Sequence, residues 1–362
     1  MEYYIYVTND CNLNCSYCSV LFDVIKAGVP IEPKYTLSDL KKFIDRVQSK
    51  LNDSIADIYF FGGEPTINYP YITKIIKLFK EKKNNYQTNF IMHTNGLKFS
   101  EAPKNIVLNL DLALISINYE EIFDSKNNLT PYFYSIVKTI NMIKKIKNFP
   151  MIGRFTISPN TSLFTELYLM LNLFDYIYWQ LDNTEKLTDF DSYKEKYFNE
   201  IDLLFDYWLN FLEKGVFLKL VPFISTLNHI LYETGIPKKF YCGYGTSMIY
   251  IQTNGKCYAC CDNVNTNSHY IGDIWSGIEF KNNEIKDTIC VNCNYLSLCG
   301  GRCGRMHKDF SKERIDQFCL LNKYMFDKIL SNINKIKNLI KIYPDYEEKI
   351  KDKFIAYTEY TS

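Results

Sequence analysis

The sequence predicts an α/β chain: an open, partial (β/α)6 barrel followed by a small cysteine-rich domain with a β-hairpin and a C-terminal helix. Three observations lead there. From the N-terminus to about residue 225, short β-branched and aromatic runs alternate with longer segments of helical period, the pattern of parallel strands joined by crossover helices. Six such strands are too few for a closed eight-stranded barrel, and the alternation suits an open one. Of twelve cysteines, three lie before residue 20 and nine between 242 and 319, so the chemistry-bearing residues fall in two groups. A length of 362 residues is long for one core. Four segments are expected: a barrel over 1–225, a connector over 226–241, a cysteine-rich domain over 242–325, and a C-terminal helix and tail over 326–362.

Taken in order, strands are expected at 3–8, 57–61, 88–92, 112–117, 151–157 and 176–181. Leu40, Phe43, Ile44, Val47 and Leu51 mark one face of a helix whose start, Thr36 to Asp39, has the form of a capping box. Ile72, Ile75, Ile76 and Phe79 mark a second helix, and Phe133, Ile136, Val137, Ile140 and Ile143 a third. Ile201, Leu204, Phe205, Trp208 and Leu212 give a long one ending at Gly215. A short helix is expected before Pro237, and a single Lys-rich helix from Phe318 to Ile342. Met248 to Thr253 and Lys256 to Cys260 read as a hairpin on a type I′ turn at Asn254-Gly255.

The bulk composition excludes several classes. A formal charge of +1, from 42 basic and 41 acidic residues, argues against a broad nucleic-acid surface. Met1 runs directly into Glu2 and the first strand, without the pattern of an export signal, and no apolar run approaches the ~18 residues of a membrane span. The expectation is a cytoplasmic protein with no membrane or nucleic-acid partner, in which clustered cysteines stay reduced and bind metal or act in redox chemistry.

The first cysteine group is Cys11, Cys15 and Cys18, in a Cys-x3-Cys-x2-Cys loop after the first strand. Three thiolates can bind three irons of a cubane cluster and leave the fourth open, whereas a zinc site needs another protein ligand. With Tyr17 before the last cysteine, this loop resembles the signature of the radical S-adenosylmethionine (SAM) enzymes. The resemblance implies a [4Fe-4S] cluster whose open iron is chelated by SAM, and a 5'-deoxyadenosyl radical made by reductive cleavage of SAM. It also implies a site at the carboxyl ends of the strands. Gly62, Gly63, Glu64 and Pro65 follow the second strand and look like the family's GGEP motif, which binds the methionine amino group of SAM. Asn95 lies in a Thr-Asn-Gly turn that also resembles the family, though Asn-Gly is a good turn anywhere. Ser116 and Asn118 stand where sulfatase-maturating relatives carry Ser-x-Asp for the SAM ribose, with an amide here in place of the acid. Arg154 would point a cation into the barrel, toward a SAM carboxylate or a neighbouring Asp or Glu, and Gln180 is a further candidate for that cavity.

In the second group, Cys242, Gly255, Cys260, Cys290, Cys293, Cys299, Cys303 and Cys319 resemble in order and spacing the seven-cysteine pattern of the SPASM domain. Seven cysteines exceed any mononuclear site, and a pair of zinc ribbons is the alternative. The resemblance implies two auxiliary [4Fe-4S] clusters, three clusters in all. Cys290, Cys293, Cys299 and Cys319 would hold the outer one, and Cys242, Cys260 and Cys303 the inner one, with Cys257 or Cys261 open as its fourth ligand.

Most of that branch modify peptides or proteins. The expected activity is maturation of a ribosomal peptide, by hydrogen-atom abstraction and formation of a thioether or carbon–carbon crosslink or a similar oxidative modification. The runner-up is a sulfatase-maturase-like enzyme forming formylglycine, and a different class is a non-catalytic iron–sulfur electron-transfer protein. Expected partners are a peptide or protein substrate, a one-electron donor such as ferredoxin or flavodoxin, and a separate leader-binding protein or another leader-binding surface. Cys261 and Asp262 occupy the place where the sulfatase maturases carry a catalytic Asp, and are the candidate catalytic residues. On a regular strand, alternation would turn Cys261 toward the barrel cavity if Cys260 faces a cluster.

Overall fold

The structure, a computed structural model, describes residues 1–15, 18, 28–81, 84–117, 122–124, 126, 128–159, 161–182, 189–233, 235–261, 268–280, 284–285, 288–301 and 303–354. Its two units interleave along the sequence. The first comprises Met1–Ser116, Glu120–Met151 and Gly243–Asn283, and the second Ile117–Tyr119, Ile152–Cys242 and Glu284–Ser362. Just past residue 242, where a domain boundary was expected, the chain returns to its first unit.

The first unit opens with β1 (Glu2–Thr8), α1 (Leu37–Leu51), β2 (Ile55–Gly62), α2 (Tyr69–Glu81), β3 (Gln87–Thr94), α3 (Lys104–Asn109), β4 (Leu112–Ile117) and α4 (Pro131–Ile146). The four strands pair in parallel, β1 with β2, β2 with β3 and β3 with β4. Residues Tyr3 to Thr8 of β1 are all buried, as expected of a strand covered on both faces. Side chains on alternate positions take opposite faces. Tyr3 points to the helix layer, where its hydroxyl donates to Gln48 Oε1 of α1 at 3.0 Å. Tyr4 takes the other face and stacks on Tyr59 of β2, with ring centroids 4.1 Å apart. The expected capping box of α1 is formed: Asp39 N donates to Thr36 Oγ1 at 3.1 Å and Thr36 N to Asp39 Oδ2 at 3.3 Å.

In the second unit, β5 (Met151–Ile157), α5 (Leu163–Met170), β6 (Tyr176–Leu181), α6 (Phe190–Glu213) and α7 (Val221–Leu231) follow, with β5 and β6 parallel. Trp208 of α6 is fully buried beside Phe205 and Phe223, and its indole N–H donates to Leu218 O at 3.0 Å. The long helix ends as expected at Gly215, at φ +80°.

Back in the first unit are β7 (Met248–Ile251), β8 (Lys256–Tyr258), β9 (Tyr270–Asp273) and β10 (Gly277–Ile278). Sequence periodicity gave no hint that β7 joins β1 in parallel, Tyr4 opposite Tyr250, which extends the unit's sheet to the order β10-β9-β8-β7-β1-β2-β3-β4. The expected hairpin is β7–β8, antiparallel, but its turn is not type I′. That turn needs positive φ at two central residues, and here Gly255 alone has it, at +81°. Gly255 N donates to Gln252 O at 2.8 Å and Gln252 N to Lys256 O at 2.9 Å, so the loop is three residues long, with the glycine in the left-handed position.

The C-terminal segment also departs from expectation. It holds α8 (Lys312–Ser331), α9 (Ile333–Ile342) and α10 (Asp345–Ile350) rather than one helix and a plain tail. The break falls at Asn332, whose side-chain amide donates to Lys328 O at 2.9 Å and competes with the helical pattern. Tyr346 of α10 is buried, with its hydroxyl donating to Leu212 O at 2.9 Å. No described helix is long and apolar enough to cross a membrane.

Candidate active site

The carboxyl ends of β1 to β4 gather the first group of sequence signals. Gly62 and Gly63 approach not open space but the segment entering the cysteine loop. A Cβ on Gly62 would stand 2.1 Å from Thr8 O, and one on Gly63 2.2 Å from Asp10 O. The contact is hydrogen-bonded: Gly63 N donates to Thr8 O at 3.0 Å and Glu64 N to Asp10 O at 2.8 Å. Only residues without side chains allow two backbones this close.

Glu64 is the hub. It is 1 % exposed, and its carboxylate accepts from Thr66 N at 3.0 Å, Thr66 Oγ1 at 2.5 Å, Thr94 Oγ1 at 2.6 Å and Asn95 N at 2.7 Å. Burial pushes its pKa up, while these donors favour the ionised form and pull the other way. The side chain of the GGEP glutamate is thus committed to the chain itself, binding the end of β2 to the turn after β3. That turn reaches the cysteine loop in its own right, since Asn95 Nδ2 donates to Asn12 Oδ1 at 2.8 Å. Tyr132 of α4 donates to Asn95 O at 2.7 Å and lies 3.3 Å from Ser116 O, while Ser116 Oγ is 3.1 Å from His93 Nε2. Asn118 lies outside the described residues.

Within the loop, Leu13 N donates to Cys11 Sγ at 3.5 Å and Cys18 N to Cys15 O at 3.1 Å. Burial foremost, then the negative charge of Glu64 and of Cys18, pushes the Cys11 thiol up, so all three groups share one neighbourhood. Cys11, Cys15 and Cys18 are all partly exposed. Among the described residues, no three His, Cys, Asp or Glu side chains close on one point as around a single metal ion.

The second unit gathers others. Arg154 Nη2 donates to Gln180 Oε1 at 2.7 Å, so the two residues expected to line one cavity are paired with each other. Directly opposite Arg154 in register, Tyr178 is buried, and its phenol is pushed up mainly by burial, with the thiols of Cys242 and Cys303 adding and Arg154 opposing. Cys290 packs with Ile285, Leu296 and Phe240, and Cys293 N donates to Cys290 O at 2.9 Å. His307 Nε2 lies 2.8 Å from Gly301 O and 3.7 Å from Cys290 Sγ. Cys299 closes a single helical turn, Leu296–Cys299, and Cys319 stands on α8.

Cys260 and Cys261 follow the end of β8 at Tyr258, in a bend, so strand alternation does not govern where Cys261 points. Cys257 is fully buried on β8 opposite Ile251, itself opposite Ile5, which puts it on the helix-layer face of the sheet. Asp262 lies outside the described residues.

Residues 5–162 match the radical SAM superfamily. Those residues form a radical SAM domain. The chain is 22% identical over 341 residues to the radical SAM cyclopropyl synthase TigE of Paramaledivibacter caminithermalis, covering 84% of this chain and 68% of the relative. It is 27% identical over 161 residues to the sporulation killing factor maturation protein SkfB of Bacillus subtilis, covering 43% of this chain and 35% of that one. Among solved structures, native anSMEcpe with bound AdoMet and Cp18Cys peptide superposes with a TM-score of 0.70 at 19% identity, over 94% of this chain and 99% of that one. This shows the shared barrel fold.

Sequence reasoning passed over Asn12, Thr66, Thr94 and Tyr132. The first three sit inside or beside the quoted motifs and were within reach of it. Tyr132, at the start of α4, carries no local signal.

Proposed function

We propose that this chain is a radical SAM enzyme of the SPASM branch that modifies a ribosomally made peptide. The observation that carries the reading is the Glu64 hub, which with its neighbours joins the three-cysteine loop, the GGEP turn and the Thr-Asn-Gly turn at one end of the parallel sheet. Cys11, Cys15 and Cys18 suit a cluster held by three thiolates: the Leu13 N–H faces the Cys11 sulfur and stabilises it as a thiolate, and the segment is pinned by the glycines behind it. Bound there, a [4Fe-4S] cluster and SAM would supply the chemistry, one-electron reductive cleavage of SAM and hydrogen-atom abstraction from the substrate. The chain's own residues bind and orient. Backbone groups of Gly62 to Pro65 and the side chains of Asn95 and Ser116 line the SAM site, with Asn118 and the Arg154–Gln180 pair as further candidates.

Cys290, Cys293, Cys299 and Cys319 would hold an outer auxiliary cluster, and Cys242, Cys260 and Cys303 an inner one. Cys261 and Asp262 are the candidate catalytic residues. A peptide substrate is supported by the two relatives whose names describe a cyclopropyl synthase and a maturation protein, and by a fold that in a solved neighbour holds a peptide. An electron donor such as ferredoxin or flavodoxin, and a leader-binding partner, complete the reading.

Anaerobic reconstitution tests it. Iron and sulfide should each approach about twelve per chain, three four-iron clusters, and reductant plus SAM should give 5'-deoxyadenosine. Replacing Cys11, Cys15 and Cys18 with Ala should abolish that product and keep about two thirds of the iron. A single cluster or tightly bound zinc would defeat the SPASM assignment, and 5'-deoxyadenosine from the triple variant would defeat the radical SAM site.

A further inference from the structure

We propose that Thr253, in the turn between β7 and β8, is a positioning residue for the three-cysteine segment, tying its entry to its exit. Asn9, just before the cysteines, is 5 % exposed and uses both side-chain N–H groups here: one donates to Pro30 O at 2.8 Å, the other to Thr253 Oγ1 at 2.8 Å. Thr253 is fully buried, and its hydroxyl donates in turn to Pro30 O. Two backbone bonds flank the triangle, Asn9 N to Ile31 O at 2.8 Å and Lys34 N to Thr253 O at 2.7 Å. Thr253 lies 244 positions from Asn9, beyond the residues 5–162 that match the superfamily.

The physical consequence follows from chain entropy. A segment of about twenty residues that must present three sulfurs to one cluster loses conformational freedom when it does so, and fixing its two ends beforehand removes part of that cost. Asn9 and Pro30 alone would hold with a single side-chain bond. Thr253 closes the triangle, and because Asn9 and Thr253 are both buried, losing the hydroxyl strands an Asn9 N–H without a partner. The inference rests on the cysteines being a cluster site and adds a residue from the cysteine-rich half of the chain to its upkeep.

The test compares full-length wild type, Thr253→Val and Thr253→Ser, metal-free and anaerobically reconstituted. Valine keeps the branched shape and removes the hydroxyl; serine keeps the hydroxyl. In metal-free Thr253→Val, amide exchange should rise roughly tenfold in residues 9–15 and 28–34 and stay at the wild-type rate elsewhere, the ratio expected for one lost buried hydrogen bond. In the reconstituted variant, the iron whose EPR signal responds to SAM should pass to a chelator roughly tenfold faster, with the remaining iron unaffected. Thr253→Ser should restore both. Unchanged local exchange, exchange rising throughout the chain, or equal loss of all iron would overturn the proposal. A wild type with no SAM-responsive signal would count against the cluster reading instead, and the metal-free exchange would still decide the tie.

Discussion

Glu166 has no exposed surface, and burial, with the charge of Glu200 adding, pushes its carboxyl up to about 8 from an ordinary 4.5. The unfolded chain releases this proton near 4.5 and the folded one holds it to about 8. Between those values the folded state binds more protons, so stability is full below 4.5, falls as pH rises to about 8, and is level above. Thermal melts from pH 5 to 9 should show that fall, and Glu166→Gln should flatten it. Cys261 poses a different question, since the bend after β8 frees it from strand geometry. Cys261→Ala should keep SAM cleavage and lose or divert the peptide product, with iron content separating a cluster ligand from a donor to the substrate. Wild-type product at wild-type rate with full iron would reduce it to packing. The sequence revealed such residues where spacing carried the information, as in the cysteines and Gly62 to Pro65. The partner of Arg154 and the tie at Thr253 were hidden because both contacts join distant strands or turns.

The elements were more legible than their ends and turns. All six barrel strands are present, three of them at the expected bounds, because β-branched and aromatic runs covered on both faces leave an unbroken apolar signature. The hairpin turn was misread because a three-residue loop with glycine last and a two-residue one share the Asn-Gly pair. The tail was passed over because its helix is only six residues long, and two buried side chains among charges, Tyr346 and Ile350, are too few to set a period. Tyr346→Ala should nonetheless destabilise the fold by about 3 kcal/mol, by removing a buried ring beside Phe217, measurable by denaturant titration. Just past the end of β2, Gly63→Ala puts a methyl into a backbone carbonyl and must push the cysteine segment away. Loss of the SAM-responsive signal with the remaining iron intact is the expected result; an unchanged signal would show that the close approach is dispensable.

For the whole molecule, composition and cysteine distribution conveyed two groups of chemistry, and the units contain both groups without following the order of the chain. The first unit is left at residue 151 and rejoined at 243, where β7 aligns against β1 and the next turn fastens the ends of the cysteine segment. That return sets a schedule for synthesis. Cys11, Cys15 and Cys18 leave the ribosome among the first residues, but β7 and Thr253 follow more than 220 residues later, roughly ten seconds or more at cellular elongation rates. Throughout that interval β1 has an unpaired edge and the thiols lack their final enclosure. Under the proposed function, iron bound by the three cysteines before then would meet an unfinished site, so cluster loading is expected only once β7 and Thr253 have emerged and fastened both ends of the segment.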